Sequence, residues 1–240
     1  MQLGKKWGEL MPRPYATKLK KGKLGKKSNG VPETTDRGLY REEIKAMRSA
    51  PLSILRPHPT QSMLSKARRN ELLLRLLWNT WARLDELLSV QIEHIDIAQR
   101  TILLTMTKRK VLRHGEPAVR EERTVSFSEE TKPKLVDFIG TRRKGSLFSI
   151  NQRAARVLVN GYAMKLGIQT IVGYDANKRP RYLITPKAFR EAGEAYAVME
   201  GMDREMAAKR AGHTVAVQQR NYTKYDAIRA RDIVDRLGVL

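Results

Sequence analysis

The chain has 240 residues, and its 47 lysines and arginines outnumber 25 acidic residues, which gives a formal net charge of +22. A balance this basic is typical of proteins that bind a polyanion, and nucleic acid is the expected partner because each phosphate contact releases counterions. The sequence has no cysteine, which excludes disulfides, thiolate metal sites and a cysteine nucleophile. It also lacks an apolar run of about 18 residues and a signal-peptide core, so we expect a cytoplasmic protein without a membrane span.

Residues 1–37 are predicted to form a flexible arm that binds phosphates. They hold ten basic residues against three acidic ones, with scattered glycines and prolines and no apolar period. Such a segment cannot bury a core, so we expect it to be disordered until it contacts nucleic acid. A merely solubilising tail is the alternative, but the clustering of the charge favours a binding role. The lysines expected to contact DNA are Lys18, Lys20, Lys21, Lys23, Lys26 and Lys27.

Residues 38–240 have the pattern of one globular domain, mostly α with a small antiparallel three-stranded sheet. A short helix over 39–47 is expected to end before a loop at 51–59. Leucines at three- and four-residue steps predict helix over 62–90, either continuous or broken at Asn79-Thr80. Three short strands are predicted at 95–97, 101–106 and 123–127, and the last two are joined by a turn at His114–Pro117.

The second half of this domain is predicted to be mostly helical. Helices are expected at 131–139 and at 151–166, where Asn151 is the capping residue. Residues 168–184 form an irregular excursion or a small hairpin. Start and stop residues then predict a helix from Thr185-Pro186 to about Glu200, one capped by Asp203, one after Gly212, and a final amphipathic helix at about 226–237.

Four segments of this domain carry residues suited to phosphate chemistry. The segments are Thr80-Trp-Ala-Arg83-Leu-Asp-Glu86, Thr107-Lys108-Arg-Lys110, Thr185-Pro-Lys187-Ala-Phe-Arg190 and Gly212-His213, with Tyr222 nine positions after the histidine. Each motif is weak alone, but their order and spacing around a three-stranded unit resemble the active site of the tyrosine recombinase (phage-integrase) family. The resemblance covers about residues 38–240.

The resemblance implies a role for each of these residues. Tyr222 would attack the scissile phosphate in line and form a 3′-phosphotyrosine and a free 5′-hydroxyl, which stores the bond energy without ATP. Arg83, placed inside a leucine-rich helix, and Arg190 would bind the non-bridging oxygens, because planar guanidinium groups match a phosphate. Glu86 would buttress Arg83, or form an ordinary i,i+3 salt bridge. His213 would donate to a phosphate oxygen.

Two lysines and a second tyrosine leave alternatives open. Lys108 is expected to be the general acid that protonates the leaving 5′-oxygen, and Lys110, on the same strand face, is the alternative or a DNA contact. Lys187 departs from the family pattern, which has histidine there, although archaeal members tolerate lysine. Because a protonated lysine cannot accept a proton, we interpret Lys187 as a phosphate clamp, with a general base as the alternative. Tyr225 competes with Tyr222 but is out of register.

These observations predict a site-specific DNA recombinase, an integrase of an archaeal virus or mobile element. It would act on double-stranded DNA as a homotetramer formed from monomers or dimers in solution. The alternatives are a chromosome or plasmid dimer resolvase, a type IB topoisomerase-like enzyme, or a non-catalytic DNA-binding protein. No cofactor or metal is expected, since the four histidines lack ligand spacing. The family's usual N-terminal helical domain has no counterpart here, so either the arm replaces it or the chain is a truncated product.

Overall fold

A computed structural model of the chain describes residues 38–111, 119–222, 225–226, 228–230 and 234. The predicted arm and the predicted turn at His114–Pro117 lie outside the described residues. The backbones of Lys108, Lys110 and Tyr222 are described, but their side chains are not. The division between an arm and a catalytic domain therefore stays a prediction.

The described residues confirm a mostly helical fold with a small antiparallel sheet of three strands. The sheet has the order β1 (Ile95–Asp96), β2 (Thr101–Val111) and β3 (Val119–Ser126). Residues 168–184 contain a hairpin of β4 (Ile171–Tyr174) and β5 (Pro180–Tyr182). The helices are α1 (Arg41–Ser53), α2 (Gln61–Thr80), α3 (Leu84–Leu88), α4 (Lys132–Ile139), α5 (Gln152–Lys165), α6 (Pro186–Met199), α7 (Arg204–Ala211) and α8 (Val215–Tyr222).

The hydrophobic core forms around α2, which contacts α1, α4 and α6. Because α2 has neighbours on several sides, it is apolar around most of its circumference and not along one stripe only. Its central residues are all buried: Leu72, Leu73, Leu74, Leu76 and Leu77. None of the described helices is both long and apolar enough to cross a membrane.

The helix α2, which carries the core leucines, ends at Trp81, and a separate helix, α3, begins three residues later. This residue has a φ of 50°, in the left-handed region, where a bulky side chain is rarely found. The break makes Arg83 the N-cap of α3, with extended backbone, so the prediction that Arg83 lies inside a helix is wrong. Of the two alternatives for residues 62–90, the broken helix is the observed one, and the break follows directly after the Asn79-Thr80 pair.

The helices α5 and α6 begin at the predicted capping residues, whereas the end of α1 differs from the prediction at a proline. Asn151 Oδ1 accepts from the Ala154 backbone N at 2.8 Å, and Thr185 Oγ1 accepts from the Ala188 backbone N at 3.2 Å, as predicted. In contrast, α1 continues through Pro51 to Ser53, where a loop was expected.

The segment after α8 begins in the core of its own domain. Its described residues Asp226, Ile228–Ala230 and Val234 are helical, in agreement with the predicted final helix. Tyr225 and Ile228 are only 2% and 4% exposed, whereas Val234 is 64% exposed. Since Tyr225 is buried and its hydroxyl accepts from the Leu39 backbone N at 3.4 Å, it is unsuited to attack a substrate.

The close contact between α6 and Trp81 gives a stability prediction. A Cβ added at Gly193 would lie 2.4 Å from Trp81 Cδ1, whereas one at Gly161, a glycine of α5, would meet nothing within 4 Å. We therefore expect Gly193→Ala to lower the free energy of unfolding by about 1–3 kcal/mol, because overpacking forces the indole to move. Gly161→Ala should raise it by about 0.5–1 kcal/mol through helix propensity. Urea unfolding measures both, and an equal change in the two variants would contradict the packing shown by the structure.

Candidate active site

A cleft of about 740 Å³ is lined by residues of α3, α5, α6 and the β4–β5 hairpin. Four predicted site residues line it: Arg83, Lys187, Arg190 and His213. They come from the N-cap of α3, from α6 and from the junction between α7 and α8, so the fold brings together side chains that are far apart in sequence. The cleft is therefore rich in cations, as a site for a phosphate must be.

Glu86 organises one side of this cleft. Its side chain is 0% exposed, and its Oε1 accepts from Arg83 Nη1 at 2.7 Å. Its Oε2 accepts from the Arg83 backbone N at 3.0 Å and from Arg123 Nη2 at 2.8 Å. Burial alone would raise the pKa of the Glu86 carboxyl, but the hydrogen bonds and charge of Arg123, with the hydrogen bonds of Arg83, outweigh it and hold the pKa below the usual 4.5. Glu86 thus stays ionised and fixes the Arg83 guanidinium.

Arg123 of β3 is a site residue that the sequence analysis missed. Besides binding Glu86, it donates from Nε to the Arg210 carbonyl at 2.9 Å, while Arg83 Nη2 donates to the Gly212 carbonyl at 3.3 Å. The two arginines that share Glu86 therefore both hold the end of α7, directly before His213. One sequence signal was available, because a strand residue two positions before a buried valine lies on the inward face, where an arginine needs a partner.

Arg210, a residue of α7 itself, also anchors the end of this helix, but through its side chain. Its Nη2 donates to the carbonyls of Asn79 and Ser126, each at 2.7 Å. Its guanidinium also stacks on the Trp81 ring, 4.7 Å from the centroid. Burial, and then the charge of Arg123, lowers the pKa of Arg210. These contacts stabilise the left-handed conformation of Trp81 and tie it to the segment that carries the histidine.

Arg190 is a buried cation with an unused donor. Arg190 is 7% exposed, and its Nη1 makes no hydrogen bond within the described part of the chain. Burial, reinforced by the charge of Arg83, lowers the pKa of Arg190 to about 10, which leaves it protonated at neutral pH. A buried charge without full compensation is unfavourable, so an anion in the cleft would relieve it.

Lys187 occupies the rim of the cleft. Its side chain is 73% exposed, and its Nζ lies 3.0 Å from Glu191 Oε1, one helical turn away. An exposed lysine at the rim of the cleft can reach a phosphate bound there, which fits the clamp interpretation. The role of Lys187, as a clamp or as a general base, stays a prediction.

His213 is held by a second residue that the sequence analysis missed, Glu194. The His213 Nε2 lies 2.9 Å from Glu194 Oε2, and the two side chains are 7% and 3% exposed. The Nδ1 lies 3.0 Å from the Thr214 carbonyl oxygen. Gly212 directs the histidine into this position, since it ends α7 with a φ of 73°. The proposed donation from His213 to a phosphate stays a prediction.

Three predicted residues are placed only by their backbones. Lys108 and Lys110 lie in β2, where pairing is irregular between Thr105 and Lys110, and Tyr222 is the last residue of α8. The structure does not describe the side chains of these three residues, so the general acid and the nucleophile remain predictions. Within the described ranges, no group of three or more His, Asp or Glu side chains comes together in a way that could hold a metal ion.

Comparisons with known proteins agree with this architecture. No family model matches the sequence. The tyrosine recombinases XerC of Bifidobacterium longum (strain DJO10A) and of Bifidobacterium longum subsp. infantis are each 29% identical to it over 171 residues, which is 66% of this chain and 44% of theirs. The chain therefore spans less than half the length of these curated relatives.

Solved structures share the fold at lower sequence identity. XerA recombinase superposes with a TM-score of 0.61 at 19% identity, over 83% of this chain and 64% of its own. XerH recombinase bound to a palindromic difH substrate gives 0.57 at 15%, over 83% and 53%. The Tn1549 transposon integrase in complex with transposon right end DNA gives 0.51 at 16%, over 85% and 66%. The expected fold is confirmed.

The buried Glu86 carboxylate gives a prediction for stability against pH. Removing its charge leaves two arginines without a counter-ion, so Glu86→Gln should lower the free energy of unfolding by about 3–5 kcal/mol at neutral pH. A carboxyl with a lowered pKa in the folded state stabilises above its unfolded pKa and loses this effect as the pH falls. The difference between wild type and variant should therefore shrink below pH 4.5. Glu122→Gln, at an exposed position of β3, is the control, and a difference independent of pH would contradict the assignment.

The buried charge of Arg190 gives the opposite prediction for the protein without ligand. Arg190→Met should raise the free energy of unfolding by about 1–3 kcal/mol, because an apolar side chain replaces a poorly compensated cation. Sulfate should stabilise the wild type more than chloride at equal ionic strength, and this excess should disappear in the variant. Thermal unfolding measures both effects, with Arg156→Met on the exposed cleft wall as the control. A destabilised variant that keeps the full sulfate response would refute the anion site.

Proposed function

We propose that the chain carries a tyrosine recombinase/integrase catalytic domain and acts as a site-specific DNA recombinase. The observation that carries the proposal is the convergence of Arg83, Lys187, Arg190 and His213 in one cleft. Arg190 in particular has a buried donor that finds no partner among the described residues and that a phosphate oxygen would satisfy. The helix α8 begins two residues after His213 and ends at Tyr222, so the proposed nucleophile follows directly from the anchored segment.

In the proposed reaction Tyr222 is the nucleophile. Its phenolic oxygen forms a bond to the phosphorus while the bond between phosphorus and the 5′-oxygen breaks. The phenolic proton of Tyr222 passes to solvent water, and the leaving 5′-oxygen gains a proton from Lys108, or from Lys110. Arg83 and Arg190 bind the equatorial oxygens as negative charge grows in the pentavalent transition state. Attack by a 5′-hydroxyl from another strand reverses these steps and releases the tyrosine.

Double-stranded DNA is the proposed substrate and partner. The net charge of +22 supplies sequence-independent affinity, to which the lysines of residues 1–37 would contribute. Assembly as a homotetramer on DNA is part of the proposal. Lysine at position 187, in place of the family's usual histidine, supports origin in an archaeal virus or mobile element and hence an integrase.

Replacement of the nucleophile tests the proposal most simply. Tyr222→Phe removes one hydroxyl, so it should abolish covalent protein–DNA complex on a nicked suicide substrate and leave DNA affinity nearly unchanged. Tyr225→Phe is the matched control and should keep covalent complex formation, because Tyr225 is buried in the core. Denaturing gels resolve the adduct. Absence of any adduct in the wild type would refute the catalytic proposal, and an adduct in Tyr222→Phe would refute the nucleophile.

Lys187→Ala distinguishes a clamp from a general base. Loss of one charge-assisted contact should slow single-turnover cleavage by about 10-fold to 100-fold, corresponding to about 1.4–2.7 kcal/mol, with the same factor at every pH. A base would instead give a larger loss that high pH partly rescues, because hydroxide would deprotonate Tyr222. A rate–pH profile parallel to that of the wild type supports the clamp. Strong rescue at high pH would overturn it.

A further inference from the structure

Glu194 is a buried carboxylate whose position the proposed reaction does not explain. It lies on α6, one turn after Arg190, and is 2% exposed. Its Oε2 binds His213 Nε2 at 2.9 Å, while its Oε1 is buried and makes no hydrogen bond within the described residues. Burying an ionisable group is costly unless a partner compensates it, so the contact with His213 is what retains Glu194 in the interior.

The two ring nitrogens of His213 face different surroundings. Nε2 points into the protein at a carboxylate oxygen, whereas Nδ1 lies 3.0 Å from the Thr214 carbonyl in an exposed hydrogen bond. The Thr214 carbonyl oxygen can only accept a hydrogen bond, whereas Nε2 faces the carboxyl group of Glu194. The ring is thus anchored at its inner edge by Glu194 and exchangeable at its outer edge.

The charges around the ring explain why such an anchor is needed. Arg190 approaches from α6, and Arg83 binds the Gly212 carbonyl next to the histidine. The surroundings of the ring are therefore strongly positive, and the carboxylate of Glu194 is the negative group in direct contact with it. Lys187 and Glu191 line the same cleft as an ion pair of their own, and Glu86 is engaged by Arg83 and Arg123.

We propose that Glu194 is a positioning residue for the recombination reaction. It fixes the His213 ring through Nε2 and leaves Nδ1 as the nitrogen that exchanges the Thr214 carbonyl for a scissile-phosphate oxygen. The contact also ties the start of α8, and so the backbone leading to Tyr222, to the helix that carries Arg190. This inference rests on the proposed function.

A double-mutant cycle separates this role from a merely structural one. Glu194→Gln keeps the shape of the side chain and removes its charge, and it should slow single-turnover cleavage of a nicked suicide substrate by about 10-fold to 100-fold. In a His213→Gln background the same change should cost less than about twofold, because the group it positions is gone. Equal losses in both backgrounds would overturn the proposal, as would full activity of Glu194→Gln. Glu205→Gln, an exposed carboxylate on α7, is the control and should leave the rate unchanged.

A measurement without cleavage keeps the inference independent of the proposed function. Long-range proton–nitrogen NMR spectra of the full chain without DNA should give the same His213 Nε2 resonance in the wild type and in Glu205→Gln. Glu194→Gln should shift the Nε2 resonance and leave Nδ1 less affected, because only Nε2 loses its carboxylate partner. An Nε2 resonance that is identical in the wild type and in Glu194→Gln would overturn the inference. If the wild type cleaves no DNA, the proposed function fails, while these spectra still decide the role of Glu194.

Discussion

The rest of the site depends on the interaction of the Glu86 carboxylate with Arg83 and Arg123. This carboxylate is fully buried and accepts three hydrogen bonds, two from Arg83 and one from Arg123. Each of these arginines then binds a backbone carbonyl at the end of α7. One charge thus connects α3, the three-stranded sheet and the segment leading to His213. Because a buried carboxylate is stable only with its partners, the arrangement forms as a unit or not at all.

Hydrogen bonds and packing hold the backbone around the cleft in place, whereas the cationic side chains that line the cleft are only partly neutralised. Trp81 adopts an unfavourable left-handed conformation. The Arg210 guanidinium stacks on its ring, and the absence of a side chain at Gly193 leaves room for the indole. Arg190 keeps a buried donor that has no partner in the part of the chain that the structure describes. Strain and unsatisfied groups reduce stability, and they concentrate at sites where a ligand restores the balance. The proposed ligand, a phosphodiester, supplies the missing negative charge and hydrogen-bond acceptors.

Local signals in the sequence predicted most of the helices, because caps such as Asn151 and Thr185 act within three residues. The order of the motifs also identified Arg83, Arg190 and His213, which the fold brings to one cleft. What the sequence could not reveal were contacts between distant segments. The strand alternation placed Arg123 on the inward face, but nothing near Arg123 or Glu194 indicates which residue is the partner, 37 residues earlier or 19 residues later along the chain. The break at Asn79-Thr80 was one of two alternatives, and the sequence could not decide between them because tertiary packing and not local propensity holds Trp81.

A crystal structure of the protein with a DNA duplex that carries a non-cleavable phosphodiester tests the central claim most directly. The cleft organised by Glu86 should hold one backbone phosphate, whose oxygens lie within hydrogen-bond distance of the guanidinium groups of Arg83 and Arg190. The Glu86–Arg123 contact should be unchanged in the complex, because it belongs to the frame and not to the ligand-binding surface. DNA bound elsewhere on the protein, with the cleft containing only solvent, would contradict the account.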